Sequence, residues 1–122
     1  MTIITAKKNN TDFTINSTTW TEVISDTWTQ NKDTTEEYII FIYAEFTISD
    51  KNEDAQIRVM TDGVEEAISI YTPTVASQFT SFSTIIMQSA ELGIHTIAIQ
   101  GRGTNAADTV TVRRKRMVVM KH

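Results

Sequence analysis

Residues 55–72 read AQIRVMTDGVEEAISIYT, and this stretch decides the fold class. Apolar and polar residues alternate over 55–61, as they do in a strand with one buried face and one solvated face. The dipeptide Asp62-Gly63 follows, and it suits the positive φ angles of a two-residue hairpin turn. The pattern predicts that segments 55–61 and 65–72 are antiparallel neighbours in a sheet.

The composition of the whole chain agrees with a β-rich fold. Threonine, isoleucine and valine supply 45 of the 122 residues, whereas leucine occurs once, at Leu92. β-Branched side chains are stiff at χ1 and pack well on a pleated surface, while a helical domain draws on leucine and alanine. This imbalance excludes an all-α fold, and no stretch shows a helical repeat.

Turn-forming residues divide the chain into nine predicted strands. Their ranges are roughly 2–6, 12–16, 20–29, 37–48, 55–61, 65–72, 78–88, 94–100 and 108–120. Eight or nine short strands over residues 1–122 predict one all-β domain, a two-sheet antiparallel sandwich in which residues 1–16 could form an N-terminal arm. A jelly roll fits the strand count best and an immunoglobulin-like sandwich is the alternative, because the sequence does not give the connectivity.

The strand at 37–48 is apolar on both faces. Its even positions are apolar from Tyr38 to Ile48, and Ile39, Phe41 and Tyr43 make the other face apolar as well. A sandwich covers one face of each sheet, and burying each of these three side chains is worth about 1.5–3 kcal/mol. We therefore predict that Ile39, Phe41 and Tyr43 form part of a homo-oligomer interface. The alternative is that residues 1–16 fold back over them.

Charge is distributed unevenly along the chain. Residues 1–100 carry a net charge of −9 and residues 101–122 a net charge of +5, with a basic run at Arg113, Arg114, Lys115 and Arg116. Clustered cations can bind phosphates, but this run lies inside a strand pattern and lacks flanking aromatic residues for base stacking. We expect it to be a charge-contact strand that meets acidic side chains within the fold or across a subunit contact, rather than nucleic acid.

The sequence offers little that could support catalysis. It contains no cysteine, and its two histidines are His95 and the terminal His122. His95 shares the strand parity of Ile97 and Ile99, so we expect it at the inner edge of a strand with its ring nitrogens hydrogen-bonded. No nucleophile elbow, phosphate loop or metalloprotease motif occurs, and we expect no enzyme activity, catalytic residue, cofactor or bound metal.

Two polar patterns remain as alternatives. Trp20 and Trp28 stand among carboxylates and threonines, where exposed indole rings could stack on sugars and form a carbohydrate-binding face. Residues 50–54 have the spacing of calcium ligands, but Ala55 and Thr61 replace the glycine and glutamate that such a loop requires. A hydrogen-bonded polar turn is the interpretation we favour for 50–54.

The termini and the hydropathy indicate neither secretion nor membrane insertion. No basic segment followed by a long apolar stretch opens the chain, and the longest apolar run, 38–44, is about a third of a membrane span. We expect a protein made in the cytoplasm without a signal peptide.

The C-terminal part of the chain resembles a known family. Residues 92–100, LGIHTIAIQ, and 109–120, TVTVRRKRMVVM, resemble the last two strands of small jelly-roll structural proteins of tailed-phage virions, which are similar to the tumour-necrosis-factor and C1q fold. The resemblance implies a non-enzymatic virion protein made in the host cytoplasm, a homotrimer by preference. Such a protein would decorate the capsid or form part of a head or tail appendage, in contact with partners such as the major capsid protein.

Overall fold

The computed structural model describes all 122 residues and consists of nine strands joined by turns and loops. The strands are β1 (Thr2–Asn9), β2 (Phe13–Ile15), β3 (Thr21–Gln30), β4 (Glu36–Ile48), β5 (Ala55–Thr61), β6 (Val64–Tyr71), β7 (Thr80–Ala90), β8 (Gly93–Gly103) and β9 (Val110–Lys121). Each predicted strand is present, with its ends shifted by at most three residues. None of these elements is a helix that could cross a membrane.

The strands form two antiparallel sheets that face each other. Sheet A has the order β1-β9-β4-β7, with β2 also paired to β9, and sheet B has the order β3-β8-β5-β6. From β3 onwards, every connection except the β5–β6 hairpin passes from one sheet to the other, so β4 pairs with the distant β9. The all-β sandwich prediction is confirmed, and the connectivity that the sequence left open is that of a jelly roll.

The hairpin that decided the fold class has the predicted turn. Asp62 and Gly63 have φ angles of 48° and 79°, both in the left-handed region that a type I′ turn requires. The β5 and β6 strands pair antiparallel on either side of it. This local signal was sufficient because both turn residues tolerate positive φ.

The core lies between the two sheets and is built mostly from isoleucine and valine. Twenty buried apolar residues form one cluster, and Phe46 at its centre is fully buried with its ring 5.8 Å from that of Tyr71 in an edge-on arrangement. The only leucine, Leu92, is 58% exposed in the turn before β8. The β-branched excess therefore builds the core as well as the strands.

A β-bulge changes the parity of β9. Arg114 has a φ of 50°. In the pairing of β4 with β9, Tyr43 lies opposite Arg116 and Glu45 opposite Arg113, so two residues of β9 lie opposite the single residue Ala44. Val112 faces the core before the bulge and Met117 faces it after, although one position is even and the other odd. The extra residue lets one strand present apolar side chains inward along its whole length.

Residues 1–16 extend a sheet instead of covering one. β1 and β2 both pair with β9, at the edge of sheet A that lies opposite β7. The N-terminal segment therefore does not lie over the outer face of β4, and the alternative in which it shields Ile39, Phe41 and Tyr43 is wrong.

We expect Phe46→Ala to lower the free energy of unfolding by about 3–5 kcal/mol, because it leaves a cavity in a fully buried site. Urea denaturation would measure this change. The control is Thr14→Ala at an exposed position of β2, which should change stability by no more than about 0.5 kcal/mol. Equal stabilities for the two variants would contradict the described core.

Candidate functional site

The outer face of sheet A carries a continuous band of apolar side chains. At its centre lie Ile39, Phe41 and Tyr43 of β4, all half-buried. The cross-strand partners of Ile39 and Phe41 continue the band, and they are Met87 and Ile85 on β7 and Met120 and Val118 on β9. Ile85 is 63% exposed and Met87 is 66% exposed. Several large apolar side chains therefore face solvent side by side.

An open groove of about 560 Å³ runs along this band. Its apolar part is formed by Phe41, Ile85 and Val118, and its polar part by Tyr43, Ser83 and Arg116. The sequence predicted the β4 contribution but missed Ile85 and Met87. The run Ile85-Ile86-Met87 is apolar on both faces, so only the strand register shows which side chains point outward.

A carboxylate anchors the polar end of the band. Glu45 accepts hydrogen bonds from the Tyr43 hydroxyl at 2.6 Å, from Arg113 Nε at 2.9 Å and from Arg114 Nη1 at 3.2 Å. These bonds, the one from Tyr43 first, lower the pKa of Glu45 to about 2 against the opposing effect of burial. The carboxylate is therefore ionised and neutralises cations of its own chain.

The remaining two cations of the basic run lie on opposite sides of β9. Lys115 points inward after the bulge, is 2% exposed, and donates from Nζ to the Thr11 carbonyl at 2.5 Å. Burial lowers its pKa, partly offset by the charge of Asp12. Arg116 points outward and donates to Asn10 Oδ1 at 2.6 Å.

These contacts place Arg113 and Arg114 against an acidic side chain within the fold, which is one of the two arrangements predicted for residues 113–116, and they separate Lys115 from that run. Lys115 is buried and cannot reach another subunit, while Arg113 and Arg114 are bonded to Glu45 of the same chain. Arg116, like the buried Lys115, has no carboxylate partner in the chain, and it is the member of the two that points outward. The run was predicted from sequence as one unit, but the bulge divides it.

The two tryptophans lie on opposite sides of sheet B. A second bulge, between Glu22 and Ile24, breaks the parity that the sequence assigned to them. Trp28 is 4% exposed, with its ring centroid 5.6 Å from that of Tyr38 and 5.5 Å from that of His95. Its assignment as a glycan-stacking residue is wrong, because the ring lies within the core.

Trp20 lies half-buried on the outer face of sheet B. The guanidinium carbon of Arg58 is 4.3 Å from the centroid of its ring, and that of Arg102 is 4.2 Å away. The three residues come from different parts of the chain, so no sequence spacing could have indicated the cluster. Cations stacked on an indole ring are held by its quadrupole.

His95 joins the β5–β6 turn to β8. Nδ1 lies 2.7 Å from Asp62 Oδ2 and Nε2 lies 2.7 Å from the Glu91 carbonyl oxygen, as expected for a histidine with both ring nitrogens hydrogen-bonded. Burial alone would lower the pKa of His95. The hydrogen bonds to Asp62 and Glu91 and the two negative charges outweigh burial and raise it, because both neighbouring atoms are acceptors and favour the doubly protonated ring.

The polar turn at 50–54 is held by bonds within the chain. Asp50 Oδ1 accepts from the Asn52 backbone nitrogen at 2.8 Å, and Asp54 accepts from the Thr72 hydroxyl. This arrangement confirms a hydrogen-bonded turn. No three or more His, Cys, Asp or Glu side chains come together in a group that could hold a metal ion.

Similarity to known proteins is found in the fold and not in the sequence. No protein-family model matches the chain, and no curated protein matches it in sequence. Among solved structures, the EclA C-terminal domain, a sugar-binding protein, superposes with a TM-score of 0.58 at 14% identity, covering 88% of this chain and 77% of that one.

Two further structures share the fold. TmCBM61 in complex with β-1,4-galactotriose has a TM-score of 0.52 at 11% identity, covering 96% of this chain and 82% of that one. The insecticidal delta-endotoxin Cry8Ea1 from Bacillus thuringiensis has a TM-score of 0.51 at 14% identity; the match covers 91% of this chain but only 19% of the toxin. Identities this low establish the jelly-roll fold alone.

We expect the free energy of unfolding to fall as pH rises through the folded-state pKa of His95. The contribution of His95 is present in full below its unfolded pKa of about 6.5, because the protonated ring bonds both acceptors, and it is lost once the folded protein releases that proton. Urea denaturation between about pH 5 and pH 9 measures the slope. His95→Gln should abolish it and His122→Gln should retain it; a slope unchanged in His95→Gln would contradict this assignment.

Proposed function

We propose that the protein is a non-enzymatic structural component that assembles into homo-oligomers through the outer face of sheet A. The observation that supports the proposal best is the open apolar band around Phe41, Ile85 and Val118. Contiguous exposed apolar surface on a soluble protein marks an interaction site, and burying it against a second copy removes it from water.

The surroundings of the band have the composition of an interface. An apolar centre bordered by polar groups is typical of protein–protein contacts. Here the border is formed by the Glu45 cluster at one end and by the exposed Glu37 and Ser89 at the other. Arg116, which has no carboxylate partner within the chain, is available to pair with an acidic residue of another subunit.

In this proposal the assembly belongs to a tailed-phage virion. The protein serves there as a capsid decoration protein or as a component of a head or tail appendage. The resemblance of the last two strands and the jelly-roll fold support this proposal, and they favour a trimer whose partners include the major capsid protein. Mass spectrometry of purified virions would test it. Absence of the chain from particles that contain their other structural proteins would reject it.

The assembly face is tested by a pair of matched substitutions. Ile85→Asp places a charge within the band, and Ile70→Asp places the same charge on the outer face of sheet B, where Ile70 is 59% exposed compared with 63% for Ile85. We expect the wild type and Ile70→Asp to sediment as oligomers at micromolar concentration. Ile85→Asp should dissociate at least about tenfold more readily, because a desolvated charge without a partner opposes association.

Two results of this experiment would overturn the assembly proposal. One is a wild-type protein that sediments as a monomer at high micromolar concentration. The other is equal association of the two aspartate variants, which would mean that the band on sheet A is not the contact surface.

A carbohydrate-binding module is the second candidate function. Trp20 supports it, because its ring is half-exposed on the outer face of sheet B, and two of the proteins with the same fold are a sugar-binding protein and a module solved with galactotriose. Aromatic rings on such a face can carry a sugar.

We expect Trp20→Ala to abolish any signal on a glycan array, since it removes the ring. Phe79→Ala is the matched control, because Phe79 is also half-buried and stacks on an arginine, with Arg113 at 3.6 Å from its ring centroid. An array without signal for the wild type, or a signal that Trp20→Ala retains, would argue against this function.

A further inference from the structure

Four polar side chains form a crossed pattern beside Trp20 on the outer face of sheet B. Arg58 of β5 lies opposite Gln100 of β8, and Gln56 of β5 lies opposite Arg102 of β8. Each arginine donates from Nε to the glutamine opposite, at 2.8 Å in both cases. The two cations are therefore diagonal neighbours, each fixed by an amide and by the indole ring.

The two guanidinium groups differ in how far their charge is neutralised. Arg58 Nη1 lies 3.4 Å from Glu65 Oε1. Arg102 has no carboxylate partner, and its terminal nitrogens have no acceptor within the chain. Because Gln56 and Trp20 already hold its position, a ligand that bonds these nitrogens loses little side-chain entropy on binding.

We propose that this cluster of Trp20, Arg58, Arg102, Gln56 and Gln100 binds an acidic carbohydrate, with a uronate carboxylate bonded to the terminal nitrogens of Arg102. A guanidinium group matches a carboxylate with two parallel hydrogen bonds. The amides of the two glutamines supply donors for sugar hydroxyls, and the indole supplies an apolar surface for the ring. The inference rests on the second candidate function and specifies its ligand class.

The charges around the cluster favour a sugar acid over a nucleic acid. Glu22 lies opposite Gln100 on the outer face of sheet B, and Glu65 borders Arg58. A continuous phosphate backbone would meet these carboxylates on either side, and like charges repel at short range. A ligand with isolated carboxylates can bond Arg102 while its neutral hydroxyls face the acidic border.

The test uses trigalacturonate and the same trisaccharide with its carboxyl groups reduced to alcohols. The protein has two tryptophans, so their two indole N–H signals can be followed separately by NMR. We expect trigalacturonate to shift the Trp20 signal and leave that of the buried Trp28 unchanged. The reduced trisaccharide should bind at least about tenfold more weakly, as expected for loss of a charge-assisted contact.

A matched pair of variants tests the role assigned to Arg102. Arg102→Gln should weaken trigalacturonate binding about tenfold or more and leave the reduced trisaccharide unaffected. Arg114→Gln removes the same charge from the side of the molecule formed by sheet A, and it should leave binding unchanged. An unchanged chemical shift of the indole N–H of the buried Trp28 shows that both variants are folded.

The possible outcomes separate this inference from the function on which it rests. Equal binding of the acidic and reduced trisaccharides at Trp20 would overturn the acidic ligand while supporting a carbohydrate module. No binding of either would overturn the acidic ligand, and the glycan array would then decide whether the carbohydrate-module function fails with it. Binding of a single-stranded oligonucleotide at Trp20 as tightly as trigalacturonate would identify a general polyanion surface and overturn the assignment to sugars.

Discussion

Burial of two isoleucine-rich sheet faces against each other is the interaction on which the rest of the structure depends. The chain has no cysteine with which to form a disulfide, and twenty buried apolar residues in one cluster supply the core. The hydrophobic effect has no directional requirement. It therefore asks only that the apolar side chains of the strands point into the space between the two sheets. Seven of the nine strands, all except β1 and β6, contribute buried side chains to this core in a jelly roll, and what each outer face presents is then fixed by strand register.

Register shifts at four places in the two sheets, and two of these bulges have consequences for function. The bulge at Arg114 lets β9 face the core along its whole length, and it also sends Lys115 inward while Arg116 stays outside. The bulge between Glu22 and Ile24 buries Trp28 and leaves Trp20 on the surface. One extra residue in a strand exchanges the two faces beyond it, so each bulge separates residues that a regular alternation would place together.

The two outer faces of the sandwich have different chemistry. Sheet A presents an apolar band with charged groups at its border, a composition suited to contact with another folded protein surface. Sheet B presents a cluster of arginine, glutamine and one indole ring beside the exposed Ile68 and Ile70 of β6, and the polar cluster suits a polar ligand of small size. A protein that assembled through sheet A would leave sheet B facing outward, so the two proposed activities do not compete for surface.

The sequence alone determined the strands, the sandwich and the apolar character of β4. Alternation, Asp62-Gly63 and the β-branched composition are local signals, and each acts within a few residues of the chain. The same locality explains the correct placement of His95, whose parity with Ile97 is undisturbed by a bulge. Tertiary structure decided the connectivity, the exposure of Ile85, the inward turn of Lys115 and the grouping of Arg58 and Arg102 around Trp20. These features depend on which strands pair and in what register, and that pairing is set by burial across the whole sandwich because residues distant in sequence become neighbours only there.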